Sequence, residues 1–201
     1  MIILSYLCNS QFWHNEVPKT VFQYMTKNKI LLFEYAIHRL MEWRKEVMPG
    51  SDIESYFTRL TSLKLIFLLS ATKDMQNGGK DLLTVFDKYC AMQYGPVEVD
   101  IYSAIVYKKT SFFDFGNYAL IEKKTPDFSS IPESLKNQVD RGIVILKSLN
   151  PRLISLRASQ LVDITHKWAA WRIAIGTAEL LGQGSEAMSV ESIRSSQPFY
   201  E

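Results

Sequence analysis

The side chains best suited to hold a metal or attack a substrate are three histidines, His14, His38 and His166, and two cysteines, Cys8 and Cys90. Structural and catalytic metal sites gather their ligands at short fixed intervals. Here the histidines are scattered, and none has a second His, Cys or acid in a recognisable ligand pattern. Asp163 and His166 stand three apart, so on a helix they share a face where a carboxylate can orient an imidazole. A third partner, the nucleophile, is missing nearby, and the pair reads as a structural hydrogen bond at a helix bend. The segment DMQNGGKD puts Asp74 where a phosphate loop needs its first glycine and Asp81 where it needs a hydroxyl. It reads as a helix terminator. GQGSE, at 182–186, has the wrong order for a nucleophile elbow. No catalytic residue, metal site or cofactor is assigned, and the expectation is a protein that is not an enzyme.

The elements around these residues are mostly helical. From Lys29, apolar side chains at Ile30, Phe33, Ile37, Leu40 and Trp43 or Val47 recur at spacings of three and four, one stripe of an amphipathic helix. The residues before it, with Pro18, show no clean period and read as a loose lead-in or a short docked helix. MPGSD stops the first helix, and Ser51 with Glu54 forms a capping box for the next. YFTRLTSLKLIFLLSATK is apolar enough to be a central helix, ended by QNGG. A further helix is expected from about Lys80 to Gln93, with Leu82, Leu83, Phe86, Tyr89 and Cys90 on one side.

In QYGPVEVDIYSAI, residues 93–105, Gly95 and Pro96 suit a helix start, with Glu98 and Asp100 in its first turn facing the positive end of the helix dipole. A strand is the competing reading, because Val97, Val99 and Ile101 alternate. SFFDFGNYALIE, 111–122, reads as a small β-hairpin turning at Gly116-Asn117. Ser130 and Glu133 suggest another capping box ahead of a helix carrying Leu135, Val139, Ile143 and Leu146. Residues 156–181 read as one bent helix or two short ones meeting near Thr165-His166, followed by loop, one short helix and an exposed end. The fold class expected is mainly α: a compact helical domain with one small β-hairpin, α+β by strict count. Residues 1–50 form an N-terminal extension with one amphipathic helix, and 51–201 the helical domain.

Composition narrows the function class. The chain has 201 residues, 47% apolar and 22% charged, with a net charge of +2. That suits one globular domain, and the charge is too small to advertise a polyanion binder. The apolar N-terminal run lacks a basic n-region and a cleavage site, so it does not read as a signal peptide. LKLIFLLSA is about half a bilayer span. A soluble, cytoplasmic protein with reduced cysteines and no membrane partner is expected.

Three segments together resemble the Panacea domain, the SocA-like antitoxin family. LTSLKLIFLLSA, 60–71, is similar to the family's opening helix. In QYGPVEVDIYSAI, Tyr94, Gly95, Pro96, Val97 and Tyr102 fall on its aromatic, Gly-Pro-Val and following tyrosine. In LVDITHKWAAW, Leu161, Ile164, Thr165, His166 and Trp171 fall on its Leu-x-x-Leu-Thr-His and later tryptophan. The resemblance covers about residues 57–195. It implies a mainly helical domain with a small β element that acts by binding a protein partner, a cognate toxin encoded nearby. On that view Tyr94, Tyr102 and His166 are the contact residues, and Pro96, Thr165 and Trp171 pack helix joints. An alternative function, a nucleic-acid-associated regulator, rests on Lys108-Lys109 and Lys123-Lys124 beside the hairpin and on Arg152, Arg157, Lys167 and Arg172.

Overall fold

The computed structural model describes the backbone of residues 19–201 and the side chains from residue 27 onward, apart from Asn77. The expected lead-in, with Cys8, His14 and Pro18, lies outside the described residues. Among them the chain runs α1 (Lys19–Val47), α2 (Ile53–Tyr56), α3 (Arg59–Ser70), β1 (Tyr89–Met92), β2 (Gly95–Glu98), α4 (Val99–Val106), β3 (Phe113–Phe115), β4 (Leu120–Glu122), α5 (Glu133–Leu149), α6 (Ala158–His166), α7 (Ala169–Leu180), β5 (Glu186–Met188) and α8 (Val190–Ser195). It is a mainly α protein with a small β content, as its periodicities predict. No helix of the described residues is long and apolar enough to cross a membrane.

Helix α1 buries the stripe read from the sequence. Phe33, Ile37 and Leu40 are fully covered, and of the two residues that could end the stripe, Trp43 is buried while Val47 is exposed. Burying each such side chain contributes about 1.5–3 kcal/mol. The helix of the 1–50 segment thereby shares one core with the rest of the chain. Buried Glu34 ties it to the start of β3, its carboxylate accepting the N–H groups of Ser111 (2.8 Å), Phe112 (2.6 Å) and Phe113 (3.0 Å). Helix α3 is the central rod, buried continuously from Thr61 to Ser70.

Several local readings are corrected. Asp52, not Ser51, caps α2, accepting from the Ser55 N–H, and Thr58 caps α3. Helix α3 ends at Ser70, ahead of QNGG. The helix expected over 80–93 is a 3₁₀ turn at Leu82–Thr84 followed by β1. Its Leu82, Leu83, Phe86, Tyr89 and Cys90 are indeed buried, but β1 is the middle strand of a sheet ordered β2-β1-β5. A strand covered on both faces shows no alternation to distinguish it from a helix. Gly-Pro-Val is not a helix start but strand β2, and the helix begins at Val99 with Glu98 as its cap, accepting from Ile101 N–H at 2.8 Å. Pro96 is tolerated there because β2 is an edge strand, where a missing donor costs no ladder bond.

The hairpin near 111–122 is present as β3–β4, but its turn has four residues rather than two, since Phe115 pairs with Leu120. A Cβ at Gly116 would meet the Ala119 carbonyl at 2.8 Å, which explains the glycine. Helix α5 starts at Glu133 with Pro132 before it and no side-chain cap, so Ser130 lies too far upstream to form a box. Helices α6 and α7 are the two short helices of the alternative reading, and β5 was not expected. Of the end read as exposed, Gln197, Pro198 and Glu201 are so, but Tyr200 is buried in the core.

Candidate functional site

Tyr94, Gly95, Pro96, Thr165, His166 and Trp171 converge where the β1–β2 turn meets the α6–α7 junction. Met92 pairs with Gly95, leaving Gln93 and Tyr94 as a two-residue turn. Gly95 has φ +92°, a region that side chains with a Cβ avoid. A Cβ there would also stand 2.5 Å from Thr165 Oγ1 and 3.1 Å from Lys64 Nζ. Glycine thus lets the turn press directly onto α6 and α3. Thr165 is fully buried and donates its hydroxyl to the Val162 carbonyl at 2.8 Å. Val97, paired with Cys90, is buried.

Two further contacts fix the turn. Trp171 Nε1 donates to the Met92 carbonyl at 3.0 Å. His166 stacks on the Trp171 indole with ring centroids 3.7 Å apart and planes 7° from parallel. The His166 pKa lies below its ordinary value, through desolvation first and then the nearby Lys64 charge, against the opposing pull of Asp163 and the Gln93 backbone. Asp163 therefore acts on His166 as a charge across space, not as the hydrogen-bonded orienter of a catalytic pair. The His166 Nε2 is buried with no hydrogen-bond partner among the described residues.

Tyr94 itself projects from this clamp and is 60% exposed. Tyr102 does not join it: set within α4, it is half-buried, with the Arg59 guanidinium 5.8 Å from its ring centre. Arg59 also reaches Asn117 in the β3–β4 turn. His38 lies elsewhere again, beside the rings of Phe113 and Phe128.

Sequence reasoning missed two lysines that hold β2, one from α3 and one from α1. Lys64, fully buried on α3, donates to the Pro96 carbonyl at 2.6 Å. Desolvation pushes its pKa down to about 7. Lys29, from α1, donates to Asp87 (2.7 Å), Glu98 (2.9 Å) and Asp100 (2.8 Å). Among the described residues this is the acid triad whose ligand atoms, within 4.8 Å of one another, could hold a metal ion, and the Lys29 ammonium fills its centre. Burial lowers the Lys29 pKa, but the Glu98 and Asp100 carboxylates outweigh that and the net shift is upward. Burial raises the Glu98 pKa, with Lys29 opposing and Asp100 adding to the rise. A lysine in an apolar run and acids at a helix start were the sequence signals; neither says what the residue meets in space.

The two lysine pairs gather at one end of the β3–β4 hairpin. Lys123 donates to the Thr110 carbonyl, Lys108 pairs with Asp114 at 3.3 Å, and Lys109 and Lys124 lie over the rings of Tyr107 and Phe112. Lys167 instead reaches the Glu201 carbonyl. In comparison with known proteins, the chain matches no family model, no curated protein and no solved structure.

Proposed function

We propose that the chain is a non-enzymatic protein-binding module, antitoxin-like, which neutralises a toxin encoded nearby by contact through the Tyr94 turn. The observation that carries this reading is an exposed aromatic on a turn held by Lys64, Thr165, His166 and Trp171. A tyrosine presented on rigid backbone loses little freedom on binding, and such residues anchor protein interfaces. The motif resemblance supplies the antitoxin class, and no membrane partner enters the reading. His166 and Trp171 support the turn from behind; Tyr102 is a contact residue at a second place, beside Arg59 and Asn117.

The test is growth of a host expressing each flanking reading frame alone and then together with this chain. Toxicity relieved by the chain supports the reading, and harmless neighbours remove the toxin partner from it. A nucleic-acid-associated regulator is the second reading, supported by the gathering of the two lysine pairs at one end of the hairpin. Phosphate contacts release counterions, so that reading requires binding that falls steeply with salt, and an absence of binding at low salt eliminates it.

A further inference from the structure

We propose that the exposed face of α7 packs antiparallel against the same face of a second copy of this chain, the two helices crossing at Gly176, as a weak two-fold dimer.

Helix α7 buries only one side. Ala170, Ala174 and Ala178 are covered, and the helix lies against β1 and β5. The other side carries Ile173, 71% exposed, and Leu180, 89% exposed, with Gly176 and the exposed Thr177 between them. At about 3.6 residues per turn these four positions form one stripe along the helix. The Thr177 hydroxyl donates to the Ile173 carbonyl at 3.0 Å, so its polar group is satisfied within the helix. A surface helix ordinarily turns charged and polar side chains to water; large apolar residues one above the other on that side mark a contact face.

Gly176 is a second, independent observation. Inside a helix glycine is less stable than alanine. A Cβ at this position would meet nothing within 4 Å, so no packing within the chain calls for the glycine. Its missing side chain instead lets another backbone approach at the middle of the stripe.

Charge selects the occupant. Arg172 and Glu179, both exposed, lie on the same edge of the stripe, each one position before its large apolar residue. No ion pair within the described residues engages either charge. A two-fold axis crossing the stripe near Gly176 sets Arg172 of each copy opposite Glu179 of the other, and Ile173 opposite Leu180. A parallel pair would put the charges on opposite edges and match neither. The stripe is thus complementary to itself, in the antiparallel sense alone. Trp171, which holds the Tyr94 turn, stands on the opposite side of α7. The contact does not use that turn, and the inference does not depend on the antitoxin reading.

The test is sedimentation equilibrium of the full chain. Two helices of 12 residues bury less than a standard interface, so the dimer forms only at high concentration. A monomer–dimer equilibrium is expected between about 5 and about 500 μM. Leu180→Glu changes an exposed side chain and should weaken association at least about tenfold with the melting temperature unchanged. Arg172→Glu sets like charges together at both ends of the contact and should weaken it about fivefold or more. Adding Glu179→Arg to that variant restores opposite charges and should restore wild-type association. A wild type that stays monomeric throughout gives the stripe to some other occupant and overturns the proposal. A dimer that Leu180→Glu leaves intact overturns it too, because the interface then lies elsewhere. A double reversal that fails to rescue Arg172→Glu excludes the antiparallel pairing and with it the proposal.

Discussion

Lys64 is an amine taken fully out of water whose hydrogen-bond acceptor is a carbonyl, Pro96, rather than a carboxylate. Its pKa of about 7 in the fold compares with 10.5 in the open chain. Between those values the unfolded chain holds the extra proton, so stability rises with pH across that window, and below about pH 7 the full cost of the buried charge is present. Lys64→Met is therefore expected to be more stable than wild type at pH 7 in urea unfolding. The gap should close by up to about 1.4 kcal/mol per pH unit as pH rises to 10; a gap that does not vary with pH contradicts the assignment. Gly95 gives a second prediction at this scale. Gly95→Ala places a Cβ at positive φ, a strain of roughly 1–3 kcal/mol, and against Thr165 Oγ1 as well. Thermal melts should show a loss that Thr165→Ala in the same chain relieves only in part, since it removes the clash and not the strain. Full recovery would mean that backbone strain is negligible. Of the two, Gly95 stood in the sequence motif but Lys64 was not legible as a site: it lies in an apolar run, and its contact with Pro96 spans 32 positions.

Strand β2 depends on two helices that reach it, α3 through Lys64 and α1 through Lys29. Lys29→Met would leave Asp87, Glu98 and Asp100 crowded around an apolar side chain, with Glu98 fully buried. Removing one partner of a buried ion pair costs about 3–5 kcal/mol, and denaturant titration at pH 7 should show a loss of that order. The loss should shrink at acid pH as the carboxylates take up protons; a neutral substitution would mean that the cluster contributes no net attraction. The helices α1, α3 and α5 were readable because each buries a stripe or a continuous apolar rod. The sheet was not. Strand β1 is covered on both sides and carries no period, and Gly-Pro-Val-Glu is chemically suited to a helix start. What decided for a strand was pairing with β1, a contact between segments that local propensity does not record.

At the scale of the whole molecule, one junction between α6 and α7 makes two sets of contacts. His166 and Trp171 hold the Tyr94 turn, while Lys167 and Trp168 hold Glu201 and Phe199. Both the fold class and the grouping of Tyr94, Gly95, Pro96, Thr165, His166 and Trp171 were legible before any coordinates, the grouping through motif resemblance alone. The separate setting of Tyr102 was not, because its neighbour Arg59 comes from a distant part of the chain. The central claim is that this scaffold exists to present Tyr94 to a protein. Tyr94→Ala removes an exposed side chain and should change stability by no more than about 0.5 kcal/mol. Calorimetric titration of wild type and Tyr94→Ala with the product of whichever flanking reading frame the growth test finds toxic is the most direct measurement. A loss of affinity of about 2 kcal/mol or more, with the melting temperature unchanged, is the predicted result, and equal affinity of the two proteins would contradict the account.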